Sequence, residues 1–201
     1  RIEKEPNYTY VSARLLLGAL RHEALKFLDQ AETRPTFEDM KGQYPEYFRA
    51  YIHRAVKLEL LDPKLALYDL DRLGKALLAD RDAKFDYLGL QTLYDRYFLH
   101  SNKTRFELPQ AFFMRVAMGL AINEIDRETR AIEFYTLLSS FDFMSSTPTL
   151  FNSGTLRPQL SSCYLTTVPD DLHGIFGAIH DNAMLSKFAG GLGNDWTPVR
   201  G

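Results

Sequence analysis

Apolar positions recur at helical spacing along most of this chain, and only in the C-terminal quarter does that rhythm give way. From Thr9 to Asp29, Ala13, Leu16, Leu17, Leu20, Ala24, Phe27 and Leu28 fall on one face, which predicts an amphipathic helix. A polar stretch around Thr33-Arg-Pro-Thr36 ends it. Asp39 to Leu61 reads as further helix, with a fault expected at Pro45 because proline removes a donor and crowds the preceding turn. Asp62-Pro63 has the form of a helix start, Asp as N-cap and Pro at the first helical position. Leu65 to Leu78 reads as its continuation, with Gly74 a weak point in the middle. The aromatic-rich run from Lys84 to Leu99 predicts a short extended segment followed by helix. Pro109 opens the next helix, with Phe113, Val116, Ala117, Leu120 and Ala121 as its stripe. Asp126 caps another that carries Ala131, Phe134, Tyr135 and Leu138 on one face. The two together predict an antiparallel helical hairpin.

From Met144 the composition changes. Ser145-Ser-Thr-Pro-Thr149 and Asn152-Ser-Gly154 are turn chemistry, and a domain boundary is expected near Phe143. Gln159 to Val168 is rich in β-branched and aromatic residues and predicts a strand that holds Cys163. Asp170 or Asp171 then caps a helix whose Leu172, Ile175, Phe176, Ile179, Ala183 and Met184 form a stripe wide enough to cover a sheet, a partner helix or both. Lys187 sits in its last turn, where a cation favours the helix dipole. Gly190, Gly191 and Gly193 follow and read as a loop able to approach a ligand closely. The order is strand, turn, helix, glycine-rich loop, behind a helical scaffold.

Composition narrows the classes. Hydrophobic residues make up 45% and charged residues 25% of 201, an ordinary globular balance with enough chain for a sizeable core. A net charge of -2 gives no electrostatic case for a nucleic-acid or membrane-surface partner. No apolar run approaches the roughly 20 residues that span a bilayer, and Arg1-Ile-Glu-Lys-Glu-Pro6 lacks a signal-peptide core. One cysteine excludes an internal disulfide framework, so a cytoplasmic location is expected. The start without Met and the end at Pro198-Val199-Arg200-Gly201 read as a piece of a longer protein.

Few residues carry chemistry on their own terms. Cys163 is either a small buried hydrophobe or a redox thiol whose partner lies elsewhere; the polar neighbours Ser161 and Ser162 favour the thiol. Ala189-Gly-Gly-Leu-Gly193 matches neither the dinucleotide fingerprint nor the P-loop, and it follows a helix where both of those precede one. Lys187 and Arg200 flank that loop and are candidates to hold a phosphate together, with Asp170 available for a ribose or base. The five histidines are scattered and no Cys/His group has zinc spacing, so no metal site is expected.

Three runs together go further. Ser146-Thr-Pro-Thr-Leu-Phe-Asn-Ser-Gly154, Pro158-Gln-Leu-Ser-Ser-Cys163 and Ser186-Lys-x-Ala-Gly-Gly-x-Gly193 closely resemble the large, catalytic subunit of ribonucleotide reductase. Gly89-Leu-Gln-Thr-Leu-Tyr94 and Pro109-Gln-Ala-Phe-Phe-Met-Arg-Val116 resemble that subunit's helical N-terminal domain. The match runs from about Lys84 to Gly201, is most specific in the last sixty residues, and is slight before residue 80.

The resemblance implies an α/β fold, in which a mainly helical N-terminal domain leads into the first strand–helix unit of a ten-stranded α/β barrel. It divides the chain into a helical segment of open assignment at 1–83, the helical domain at 84–143, and the truncated start of the barrel at 144–201. It implies a ribonucleoside-diphosphate reductase acting by a radical mechanism. Cys163 is then one of two thiols oxidised as substrate is reduced. Thr149, Ser162 and Gly191 lie at the substrate, and Asp170, Lys187 and Arg200 at an allosteric site for deoxynucleoside triphosphates. No cofactor is bound by this stretch; ATP and dNTPs act as effectors. The implied partners are a second large subunit, a small metal-containing radical-generating subunit, a ribonucleoside diphosphate, and thioredoxin or glutaredoxin. The radical cysteine, the second reducing cysteine and the shuttle cysteines lie beyond Gly201, so this stretch alone is expected to be inactive. An adenosylcobalamin-dependent (class II) reductase is the alternative within the family, and the long helical part and Lys187 favour class I. Outside it stand a non-catalytic nucleotide-binding or dimerisation module, and a helical interaction domain with a structural cysteine.

Overall fold

A computed structural model describes residues 5–30, 35–188 and 190–200. The chain begins with two long helices, α1 (Tyr8–Phe27) and α2 (Phe37–Lys57). α1 buries Ala13, Leu17, Leu20, Ala24 and Leu25, the face its spacing predicts. Thr33 and Arg34, in the polar break expected between them, lie outside the described residues. Thr36 closes a capping box at the head of α2: its hydroxyl accepts from the Asp39 amide at 3.2 Å while the Asp39 carboxylate accepts from the Thr36 amide at 2.7 Å.

Pro45 does not interrupt α2, contrary to expectation. Around it, Met40, Tyr44, Tyr47, Phe48, Tyr51 and Ile52 are all buried, so core packing offsets the lost backbone bond. The same packing explains Gly74, which lies in the short helix α3 (Leu70–Lys75). A Cβ there would stand 3.0 Å from the Pro45 Cα and 3.2 Å from its carbonyl oxygen. The continuous helix expected from Leu65 to Leu78 is instead a 3-10 turn at Pro63–Leu67, an extended Tyr68, and α3. The Tyr68 hydroxyl reaches the Met118 carbonyl at 2.7 Å and Asp69 caps α3, so two side chains break what periodicity alone would continue.

α4 (Tyr87–Arg96) starts at Asp86, after an extended Phe85, as expected. The sequence reading missed a small antiparallel hairpin, β1 (His100–Ser101) with β2 (Thr104–Arg105). Its turn residues Asn102 and Lys103 both have positive φ, 49° and 70°, as a two-residue primed turn requires. α5 (Pro109–Ala121) is buried on nearly every side and pairs with α6 (Arg127–Ser140), the hairpin the two stripes predict. One continuous core runs from Ala13 to Leu150 and takes in residues of every helix from α1 to α7 (Thr147–Asn152).

That core holds two charged clusters. Asp82 accepts from Arg21 at 2.8 Å, Tyr44 at 2.8 Å and Gln110 at 2.7 Å; burial raises its carboxyl above the ordinary value, against the pull of Arg21. Glu107 and Arg115 form the second, with both side chains fully buried.

The composition change at Met144 does not coincide with a change in packing. Ser145–Thr149, read as turn chemistry, runs into α7. Ser153 is buried, with its hydroxyl on the Val116 carbonyl at 2.7 Å, and the Asp62 amide donates to Gly154 at 3.0 Å. Gly154, at φ 78°, makes the turn expected there. Beyond it the chain forms one parallel β-α-β unit: β3 (Cys163–Thr167), α8 (Leu172–Lys187) and β4 (Gly191–Asp195), with Cys163 opposite Gly191 and Thr167 opposite Asp195. Among the described residues no helix is long and apolar enough to cross a membrane.

The glycine cluster is a strand rather than a ligand loop. Gly191 and Gly193 lie in β4, and neither has a positive φ. Close packing accounts for them: a Cβ on Gly190 would stand 2.8 Å from the Tyr164 ring, and one on Gly193 would stand 2.8 Å from Leu165.

Candidate functional site

The first residue of β3 is Cys163, and its thiol is exposed. Among the described residues nothing covers it, as the redox-thiol reading requires. The Ser162 hydroxyl lies 3.6 Å from Sγ. Across the strand pair, the Gly191 amide donates to the Ser162 carbonyl at 2.7 Å, and a Cβ on Gly191 would stand 3.6 Å from Sγ. Ser162, Cys163 and Gly191 therefore form one contiguous patch.

α7 forms the facing wall. Half-buried Thr149 donates its hydroxyl to the Leu160 carbonyl at 3.1 Å and lies 3.5 Å from the Ser146 hydroxyl. Asn152 donates to the Gln159 carbonyl at 2.8 Å. Between these elements an open cleft of about 260 Å³ is bordered by Thr147, Phe151, Asn152, Gln159, Ser162 and Phe188. Its lining mixes the polar side chains of Thr147, Asn152, Gln159 and Ser162 with the rings of Phe151 and Phe188, and Cys163 follows Ser162 in the chain. Such a lining suits a ligand that carries both hydrogen-bonding groups and an apolar face.

The effector candidates divide between the two ends of α8. Asp171, not Asp170, caps the helix, accepting from the Gly174 amide at 2.8 Å. Asp170 is left to accept from Arg200, through Nε at 2.9 Å and the backbone amide at 3.3 Å. Lys187 closes the last turn, and 16 helical residues make α8 about 24 Å long. Within one copy, then, Lys187 and Arg200 do not hold one phosphate between them; the structure pairs Arg200 with Asp170.

Periodicity also missed the anchor of the α7 wall. Arg115 lies fully buried in α5, with Nε on Glu107 at 3.0 Å and Nη1 on the carbonyls of Leu150 and Ser153, each at 2.9 Å. A charged residue between Phe113 and Val116, inside an otherwise apolar stripe, is the signal that marks it. Among the described residues no group of three His, Cys, Asp or Glu side chains is placed to hold a metal ion.

Residues 83–158 match the all-alpha domain of ribonucleotide reductase, and residues 161–201 match its barrel domain. The chain is 51% identical over 199 residues to ribonucleoside-diphosphate reductase subunit alpha of Chlamydia muridarum, covering 99% of this chain and 18% of that protein. It is 39% identical over 198 residues to the subunit alpha of Helicobacter pylori, covering 97% of this chain and 23% of that one. Against the large subunit of Danio rerio identity is 37% over 191 residues, covering 94% and 23%. The chain thus spans about a fifth of the length of these relatives. The likeness also includes the first 80 residues, where the sequence motifs carried almost none.

Proposed function

Because the chain belongs to the ribonucleotide reductase large-subunit family, we propose that it forms the helical domain and opening barrel unit of a ribonucleoside-diphosphate reductase. The exposed thiol of Cys163, at the head of β3 beside Ser162 and Gly191, is the observation that carries the reading. In the net reaction the ribose 2′-hydroxyl leaves as water and two thiols become one disulfide, supplying the two electrons and two protons. Cys163 is one of those thiols, and its partner lies beyond Gly201. Thr149, Ser162 and Gly191 border the ribose and diphosphate. The relatives are named as alpha or large subunits, which supports a class I enzyme whose radical comes from a separate metal-containing subunit, rather than an adenosylcobalamin enzyme.

α8 exposes Leu172, Phe176, Ile179 and Met184 along one stripe. We place it against the same helix of a second copy. Two antiparallel helices bring the partner's Lys187 toward Asp170 and Arg200, so a deoxynucleoside triphosphate effector is held by both copies. Thioredoxin or glutaredoxin restores the thiols, in the cytoplasm.

The test is reduction of a ribonucleoside diphosphate by the complete protein with its radical-supplying subunit and a dithiol reductant. Cys163→Ser is expected to abolish multiple turnover while dTTP binding is retained. Unchanged steady-state turnover in that variant would overturn the assignment.

A further inference from the structure

The cleft beside Cys163 is gripped from behind by a buried ion pair. Arg115 donates from Nη1 to the carbonyls of Leu150, Phe151 and Ser153, at 2.9, 3.4 and 2.9 Å, which are the last acceptors of α7 and its exit. Its Nε and Nη2 lie on the two Glu107 oxygens at 3.0 and 3.3 Å. Glu107 in turn accepts from the Tyr51 hydroxyl at 2.5 Å and from the Leu99 amide at 2.9 Å. The guanidinium is therefore held on both sides.

The surroundings are shaped to admit this contact. A Cβ on Gly154 would stand 3.0 Å from the Arg115 carbonyl and 3.3 Å from its Cδ. One on Gly119 would clash with the Ser153 hydroxyl. The Ser153 hydroxyl reaches the Val116 carbonyl at 2.7 Å, a second tie from the exit of α7 to α5. On its other side α7 holds the path toward the thiol, through Thr149 to Leu160 at 3.1 Å and Asn152 to Gln159 at 2.8 Å. Four residues after Gln159 comes Cys163. A helix of six residues has little stability of its own, so its placement is set by what holds its ends.

We propose that Arg115, oriented by Glu107, is a positioning residue for substrate binding: it fixes α7 and thereby the spacing between the Thr149 hydroxyl and the Cys163 thiol. This rests on the reading of the cleft as the substrate site. It differs from a purely structural role because the pair holds α7, which supplies Thr147, Phe151 and Asn152 to the cleft.

The test uses the complete reductase with its radical-supplying subunit. Arg115→Lys keeps the charge but loses the fork that spans Glu107 and the three carbonyls. It is expected to raise KM for the ribonucleoside diphosphate about tenfold, with dTTP affinity unchanged. Ser153→Ala removes only the second tie, does not touch the buried charges, and is expected to raise KM about threefold. If Arg115→Lys fails to fold, Glu107→Gln, which keeps the guanidinium and loosens its orientation, is expected to raise KM in its place, and a parental KM there would overturn the role. A lowered melting temperature with parental KM in the folded variants would overturn the positioning role while leaving the reductase reading intact. Absence of any reductase activity in the parent would overturn both.

Discussion

The amide of Gly191 donates to the Ser162 carbonyl at 2.7 Å, and a Cβ at 191 would stand 3.1 Å from that same oxygen. The neighbour is backbone and cannot swing aside, so any side chain must push β4 away from β3 at the residue that carries the thiol. Gly191→Ala is expected to cost about 1–3 kcal/mol of local strain and to lower kcat/KM of the complete enzyme about tenfold. The melting of the helical core should be unchanged. Parental kcat/KM would show that the strand pair tolerates the methyl group.

Gly74 and Gly18 make opposite predictions from the same residue type. A Cβ on Gly74 meets the Pro45 backbone at 3.0 Å, whereas one on Gly18, inside α1, meets nothing within 4 Å. Gly74→Ala is expected to destabilise by about 1–3 kcal/mol through overpacking. Gly18→Ala should stabilise by about 0.5–1 kcal/mol through helix propensity. Urea unfolding of the two variants measures both signs at once.

The division of Asp170 and Arg200 from Lys187 predicts complementation between copies. Lys187→Ala is expected to weaken dTTP binding by about 1.5–3 kcal/mol, the worth of a charge-assisted contact. Mixing it with Arg200→Ala should regenerate intact sites in about a quarter of the total, because a mixed dimer holds one unmutated site. Calorimetric titration of the mixture that showed no recovered sites would place all three residues on one copy.

Two helix-start carboxylates set a pH dependence. Hydrogen bonds from Thr36 hold the Asp39 carboxyl below its ordinary value of 3.8, and those from Thr129 do the same for Asp126. A depressed native value means that the ionised form stabilises the fold. That contribution is present above pH 3.8 and is lost as pH falls from there through the native values. Asp126→Asn keeps a capping side chain but lacks the ionised form, so it is expected to lose that contribution at neutral pH. Its loss of stability below pH 3.8 should be shallower than the parent's. Parallel acid limbs in thermal melts would contradict this.

Much of the helical part was legible because its signals are local. Asp62, Pro109 and Asp126 mark helix starts that the structure shares, and the buried face of α1 follows spacing alone. What failed depended on distant partners. Pro45 is carried by aromatic packing from elsewhere in the core, and the break at Tyr68 is set by a hydroxyl bonded to residue 118. The glycines at 190, 191 and 193 look like a loop until β3 is placed beside them. At the proposed site, Cys163 stood out in the sequence as a single cysteine between polar neighbours in a predicted strand. Arg115 is marked in the sequence only as a charge inside an apolar run; what it holds, at 107, 150 and 153, meets it only in three dimensions.

The most direct measurement is the oxidation state of Cys163 after one turnover. The complete protein is reduced, stripped of dithiol, and given a ribonucleoside diphosphate and its radical-supplying subunit; the quenched chain is alkylated and mapped by mass spectrometry. The account predicts that Cys163 is recovered in a disulfide with a cysteine beyond Gly201, in amounts equal to the deoxynucleotide formed. Deoxynucleotide formed while Cys163 stays a free, alkylated thiol would contradict it.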